Sequence, residues 1–228
     1  MKPYPPLGLL SLAAYLRQQG RSVAVYDTTF GDLEGFANTL AERRPATVGL
    51  STNLMTRATV LRMIAVAKAA GARVVLGGPE AAPNASEYLS RGADVVVVGE
   101  GELTLGELLG LPQWTPDSLA GVLGVAYLAP DGALTTTAPR PLVQPLESLP
   151  WPDRDSIDLG RYLTVWKQHH GHSAVSLITS RGCPYTCTWC SHAVFGVSHR
   201  RRAVADVADE VAHIVERWAP DRLWYADD

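Results

Sequence analysis

The sequence predicts an α/β protein, with a doubly wound parallel sheet domain first and a second β-α unit behind it. Three observations predict this. Residues 1–110 alternate short, β-branched apolar runs with segments of helical period. The Val-Val-Val-Val run at 95–98 is too apolar for a strand wetted on one face, and belongs in a sheet covered on both. After a proline-dense stretch, an apolar strand, a loop and an amphipathic helix repeat the alternation.

Each element follows in order. Leu7–Gln19 reads as a helix closed by Gly20, and Ser22–Asp27 as a short strand. Leu33–Arg43 is a helix stopped before Pro45, Thr47–Ser51 a strand, and Thr56–Ala70 a helix closed by Gly71. Arg73–Leu76 is a strand running into Gly77-Gly78-Pro79. A helix over Ala85–Arg91 and a strand over Asp94–Val98 follow, then Gly99-Glu100-Gly101-Glu102 opens a helix through Leu109. A parallel sheet of this kind, flavodoxin- or Rossmann-like, takes ligands outside the carboxyl ends of its strands. Those ends read Ser51-Thr52, Gly77-Gly78 and Gly99-Glu100-Gly101, small enough for a planar or nucleotide-like ligand to approach the backbone. Gly99-x-Gly101-x-x-Thr104 lacks the third glycine of a dinucleotide fingerprint.

Val122–Leu128 and Ala133–Thr137, joined at Pro130-Asp131-Gly132, form a β-hairpin. Pro139, Pro141, Pro145, Pro150 and Pro152 then mark an extended linker. The expected domains are 1–111, a linker region over 112–172 and a β-loop-α-β unit over 173–228. In that unit Ala174–Thr179 is a strand. Val204, Val207, Ala208, Val211, Ile214, Val215 and Trp218 share a helix face, and Leu223–Ala226 is the next strand. His169-His170-Gly171-His172 reads as solvated linker, and Glu210 as a surface or cap residue.

The chain has 228 residues, 46% hydrophobic and 19% charged, enough apolar material for a buried core. Twenty basic against 23 acidic residues gives net −3, which excludes a strongly basic nucleic-acid binder. No apolar run approaches the ~20 residues of a membrane span. Met1-Lys2-Pro3-Tyr4-Pro5-Pro6 lacks the apolar stretch of a signal peptide, so the expected compartment is the cytoplasm. The three cysteines all fall within Cys183–Cys190, and an odd count without an export signal points to metal or redox chemistry.

Cys183, Cys187 and Cys190 have the spacing C-x3-C-x2-C directly after a strand. Three thiolates on one loop can converge on one metal centre. Zinc would want a fourth ligand, which His192 could supply; an iron–sulfur cluster held by three thiolates would keep one iron open. From Leu159 to Ala205 there is no acid, while Arg161, Lys167, Arg181, Arg200, Arg201 and Arg202 are basic. That surplus suits an anionic group.

Thr-Ser-Arg-Gly-Cys-Pro-Tyr-Thr-Cys-Thr-Trp-Cys, with Trp189 in the aromatic place, resembles the radical S-adenosylmethionine superfamily. The resemblance implies a 4Fe-4S cluster on Cys183, Cys187 and Cys190 that binds S-adenosylmethionine at its open iron and cleaves it reductively to a 5′-deoxyadenosyl radical. It further implies the start of a partial (β/α) barrel, cofactor contacts near Trp189, Asp227 and Asp228, and an electron donor such as flavodoxin or ferredoxin. Tyr4–Leu16, Gly49-Leu50-Ser51, Leu76-Gly-Gly-Pro79 and Val97-Val-Gly-Glu-Gly-Glu102 resemble the cobalamin-binding domain that precedes the barrel in a large subgroup. That subgroup holds methyltransferases and anaerobic magnesium-protoporphyrin ester cyclases. Cobalt-ligating domains carry D-x-H-x-x-G where this chain has Pro3-Tyr4-Pro5-Pro6-Leu7-Gly8. The resemblance therefore implies a corrinoid held by Gly8, Ser51, Thr52, Gly77, Gly78, Gly99 and Glu100, without a histidine from that loop. Methylthiotransferases carry further N-terminal cysteines, which this sequence lacks.

The expected activity is that of a cobalamin-dependent radical enzyme of methyltransferase or cyclase type acting on a small molecule, with no nucleic acid or membrane partner. Its catalytic residues are unassigned. Two alternatives stand beside it: a radical enzyme whose α/β domain is only a scaffold, and a Cys3His zinc module. A complete barrel takes ~250 residues, so the sequence reads as part of a longer enzyme, inactive alone.

Overall fold

The computed structural model describes residues 3–227. Along the chain run α1 (Leu7–Gln18), α2 (Leu33–Arg43), β1 (Thr47–Ser51), α3 (Arg57–Ala69), β2 (Arg73–Gly77), α4 (Ala85–Ser90) and β3 (Val95–Val97). Then come α5 (Gly101–Gly110), α6 (Pro116–Ala120), β4 (Val125–Leu128), β5 (Leu134–Thr136) and α7 (Leu159–His170). The last are β6 (Ala174–Leu177), β7 (Ser180–Arg181), β8 (Arg200–Arg201), α8 (Val204–Trp218) and β9 (Arg222–Tyr225).

These elements form two compact units. One comprises Phe30–Leu142 and Thr186–Gly196; the other comprises the chain through Thr29, Val143–Tyr185 and the chain from Val197 onward. The first unit is built on a five-stranded sheet in the order β1-β2-β3-β4-β5. Its first three strands are parallel, with Thr47 opposite Arg73 and Val75 opposite Val95. The expected α/β architecture with a parallel centre is present. The valine run owes its place to burial on both faces: Val95, Val96 and Val97 are all buried. The hairpin, which the sequence reading set in the linker region, joins the sheet: β4 pairs antiparallel with β3, and β5 with β4. Asp32 caps α2, accepting from the Gly35 amide at 2.8 Å.

In the second unit β6 and β9 are parallel neighbours with Leu177 opposite Tyr225, and β7 pairs antiparallel with β8. α1 belongs here. The Leu10 carbonyl accepts from the Asp153 amide at 3.1 Å, and Trp166 donates its indole N–H to the Pro3 carbonyl at 2.6 Å. Two expectations need correction. Ser22–Asp27 forms no strand; its Val23 carbonyl accepts from Arg17 at 2.8 Å, and Asp27 accepts from Tyr162. Side chains have taken the place of a neighbouring strand. The stretch before His172 is a helix rather than solvated linker: Asp158 caps α7 through the Arg161 amide at 3.0 Å, and Gly171 ends it in the left-handed conformation. His170 packs on Trp166 with ring centroids 4.6 Å apart. Among the described residues no helix is long and apolar enough to cross a membrane.

Candidate functional site

The carboxyl ends of β1, β2 and β3 make a surface of backbone. Gly78 has φ +99°, and a Cβ there would lie 2.5 Å from the Thr52 carbonyl oxygen and 3.1 Å from its nitrogen. Only glycine allows the two strand-end turns to meet so closely. The Thr52 amide donates to the Gly77 carbonyl at 2.9 Å, and the buried Thr52 hydroxyl lies 3.1 Å from the Tyr88 hydroxyl. A Cβ on Gly77 would meet nothing within 4 Å, so the end of β2 is open to a ligand. Ser51, Thr52, Gly77 and Gly78 are thus brought together. Gly99, at φ +88°, turns the chain after β3, and Glu100 is buried at the N-terminus of α5. Gly8 lies exposed on α1, in the other unit.

The sequence reading missed the loop after β1. Asn53 Oδ1 accepts from the amides of Met55 at 2.9 Å and Thr56 at 3.0 Å, a side-chain-closed turn. Leu54 and Met55 stand out on it, 73% and 89% exposed. The signal was there: two large apolar residues inside an otherwise polar strand-end loop.

The cysteine loop begins from a tightly fixed start. Ser180 and Arg181 pair with Arg201 and Arg200, and Cys183 bridges to Val197. Gly182 has φ +81°, and a Cβ there would lie 2.5 Å from the Ser198 carbonyl oxygen, so this position also requires glycine. All three cysteines are free thiols; Cys183 is half-buried, while Cys187, Cys190 and the neighbouring Trp189 are exposed. Within the loop the Cys190 amide donates to the Cys187 carbonyl at 3.1 Å. Among the described residues no group of three His, Cys, Asp or Glu side chains is gathered as a metal site. In kind the donor set suits a thiophilic centre: three sulfurs outside any disulfide on one loop. The segment Thr186–Gly196, which carries two of them, is part of the sheet's own compact unit, and the Val194 carbonyl lies 3.7 Å from where a Gly99 Cβ would be.

Asp227 is turned toward the chain just before that loop. Its Oδ1 accepts from the amides of Thr179 at 2.6 Å and Ser180 at 2.9 Å, and its Oδ2 from the Thr179 hydroxyl at 2.5 Å. Asp228 lies outside the described residues. Glu210 is no surface residue. It is fully buried, accepts from Arg154 Nη1 at 2.7 Å and from Arg202, and so links the proline-rich segment to α8. Burial pulls the Arg154 guanidinium below its ordinary value, with the Glu210 charge opposing that shift.

Residues 2–109 match the model of the B12 binding domain. That stretch of the chain is similar to this family. An uncharacterized methyltransferase of Pyrococcus horikoshii, PH0819, is 31% identical over 98% of this chain and 49% of its own length. The anaerobic magnesium-protoporphyrin IX monomethyl ester cyclase of Synechocystis is 28% identical over 91% of this chain and 42% of its own. The chain therefore spans about half the length of these relatives, or less. Among solved structures, the radical S-adenosylmethionine methyltransferase TsrM of Kitasatospora setae, with cobalamin and a [4Fe-4S] cluster bound, superposes with TM-score 0.77. That match is 21% identical and covers 99% of this chain and 45% of the other. The cobalamin-dependent S-adenosylmethionine radical enzyme OxsB superposes with TM-score 0.80 at 22% identity, over 99% of this chain and 32% of the other. The chain shares the fold of these two structures.

Proposed function

We propose that this chain is the cofactor-bearing portion of a cobalamin-dependent radical S-adenosylmethionine enzyme of methyltransferase or cyclase type. In this reading Cys183, Cys187 and Cys190 hold a 4Fe-4S cluster, and the strand ends at Ser51, Thr52, Gly77, Gly78, Gly99 and Glu100 receive the corrinoid. When bound, the cluster would supply the electron that cleaves S-adenosylmethionine to a 5′-deoxyadenosyl radical, and the corrinoid would supply a reactive cobalt. The observation that supports the reading most directly is the placement of Thr186–Gly196, with two of the thiols, in the unit whose strand ends are bare backbone, next to Gly99. The chain's own part is to present thiolates, leave the backbone approachable at Gly77 and Gly78, and keep the segment with Cys187 and Cys190 in one packed unit with those strand ends. The substrate is a small molecule, the reductant a flavodoxin- or ferredoxin-like protein, and the compartment the cytoplasm.

Anaerobic reconstitution with iron and sulfide tests it. The chain is expected to take up about four irons with broad absorption in the visible range, and Cys183→Ala/Cys187→Ala/Cys190→Ala to take up none. Unchanged iron in that triple variant, or one zinc in a colourless protein, overturns the reading. Corrinoid retained through purification distinguishes a binding domain from a scaffold.

A further inference from the structure

The cysteine loop leaves β6 through three residues whose polar groups are held by two charged side chains from later in the chain. β6 and β9 run parallel as far as Leu177 and Tyr225, and the Ala226 amide closes the ladder on the Leu177 carbonyl at 2.8 Å. Beyond that point the ladder stops, and the Thr179 and Ser180 amides bond a side chain rather than β9 backbone. The Asp227 carboxylate takes both, Thr179 at 2.6 Å and Ser180 at 2.9 Å, and takes the Thr179 hydroxyl on its second oxygen at 2.5 Å. The carbonyls of the same stretch go to Arg202, whose Nη1 binds Ile178 at 2.8 Å and whose backbone amide binds Thr179 at 2.9 Å. Arg202 is fixed in turn by Asp206 at 2.7 Å and by Glu210. From Ser180 the β7–β8 pairing and the Cys183–Val197 bridge carry this constraint to the first thiol.

We infer that Asp227 is a positioning residue of the cysteine loop, fixing the direction in which the chain leaves β6 towards Cys183. Its two oxygens are engaged with Thr179 and Ser180, a role that stands beside the cofactor contact implied by the resemblance. A carboxylate accepting two amides and a hydroxyl is a strong, charge-assisted anchor. It acts on the donor set from outside, as residues behind metal ligands do. The inference rests on the cluster reading for its purpose, and on the backbone geometry alone for its existence.

The test uses the full chain in both metal-free and reconstituted forms. In the metal-free protein, Asp227→Ala is expected to speed amide hydrogen exchange at Thr179 and Ser180 while leaving α8 unchanged. Asp227→Asn, which keeps an acceptor oxygen, is expected to restore most of the protection. In the reconstituted protein Asp227→Ala is expected to lose iron to a chelator about tenfold faster than wild type, with a shifted electron paramagnetic resonance signal of the reduced cluster. Thr179→Val, removing only the hydroxyl, is expected to move the same readouts in the same direction by less, and decides the matter should Asp227→Ala fail to fold. Unchanged exchange at Thr179 and Ser180 overturns the inference. So does a cluster of wild-type lability whose signal merely stops responding to S-adenosylmethionine, because that pattern belongs to a cofactor contact. If wild type takes up no iron, the cluster reading falls and the metal-free exchange still decides whether Asp227 positions the loop.

Discussion

Glu210→Ala should be among the most damaging single changes in the unit that carries α8. The wild-type carboxylate is fully buried between two guanidinium groups, whose side chains are 2% exposed for Arg154 and 10% for Arg202. Arg202 keeps Asp206 when Glu210 is removed, and Arg154 keeps the Ser176 carbonyl at 2.9 Å, a dipole where a full charge had been. An arginine does not shed its proton to escape such a site. The cost therefore falls on stability, and removing one partner of a buried pair costs about 3–5 kcal/mol. For a chain of this size each kcal/mol lowers the melting temperature by ~2–4 °C, giving an expected fall of about 6–20 °C. Urea unfolding followed by tryptophan fluorescence measures it, with Trp151 a local reporter because its indole donates to Asp206 on α8 at 2.8 Å. Arg154→Met/Glu210→Met, which removes the pair together, is expected to lose less than Glu210→Ala alone. A loss under about 1 kcal/mol in Glu210→Ala, the range of exposed ion pairs, would refute the reasoning.

Two further outcomes are expected besides those that test the thiols and Asp227. Gly78→Ala must place a methyl group 2.5 Å from the Thr52 carbonyl oxygen at a positive φ; it should cost at least ~1–3 kcal/mol and release any corrinoid that wild type retains, and an unchanged urea midpoint would contradict it. Asp221 is held below the ordinary carboxylate value first by the Ser173 amide at 2.7 Å, then by the Ser173 hydroxyl at 2.9 Å and by Lys167. A lowered folded-state value means the stabilisation is fully present above the unfolded value of about 3.9 and is lost as pH falls through the folded one. Asp221→Asn should accordingly flatten the stability profile below about pH 4, measured as urea midpoints across an acid series.

How far the fold could be read in advance depended on whether the deciding partner was close in sequence. Two of the parallel strands were legible because burial on both faces is written into their residues, at Val74–Leu76 and Val95–Val97, and the third, Thr47–Ser51, through its alternation. Ser22–Asp27 carries the same alternation and forms no strand, because alternation says nothing about whether a sheet edge is available. α7 was legible in principle: Asp158 is a good cap, and Leu159, Tyr162 and Trp166, all buried, sit at helical spacing. The run of histidines at its end drew the reading away. The thiols and the strand-end glycines stand out as candidates by motif and position alone. Nothing local in the sequence said that Glu210, one acid on an amphipathic helix, would be at the centre of a buried network.

Charge is the property that distance along the chain represents worst here. Between Leu159 and Ala205 no acidic residue occurs, and the cations of that stretch were expected to favour an anionic group on the cysteines. In the folded chain several have work elsewhere. Lys167 faces Asp221 at 3.6 Å, Arg202 is bound by Asp206 and Glu210, and buried Arg200 donates to the Val143 carbonyl at 2.7 Å. The acids arrive from α8 and the turn that follows it, out of sight of any local window. Arg202 thereby becomes a structural link: it ties α8 to the carbonyl side of the same short segment whose amide side Asp227 holds. Opposite charges meeting across one strand end hold the backbone there. A cluster bound by the three thiols would then owe its placement to that fixed exit from β6 more than to free positive charge around it.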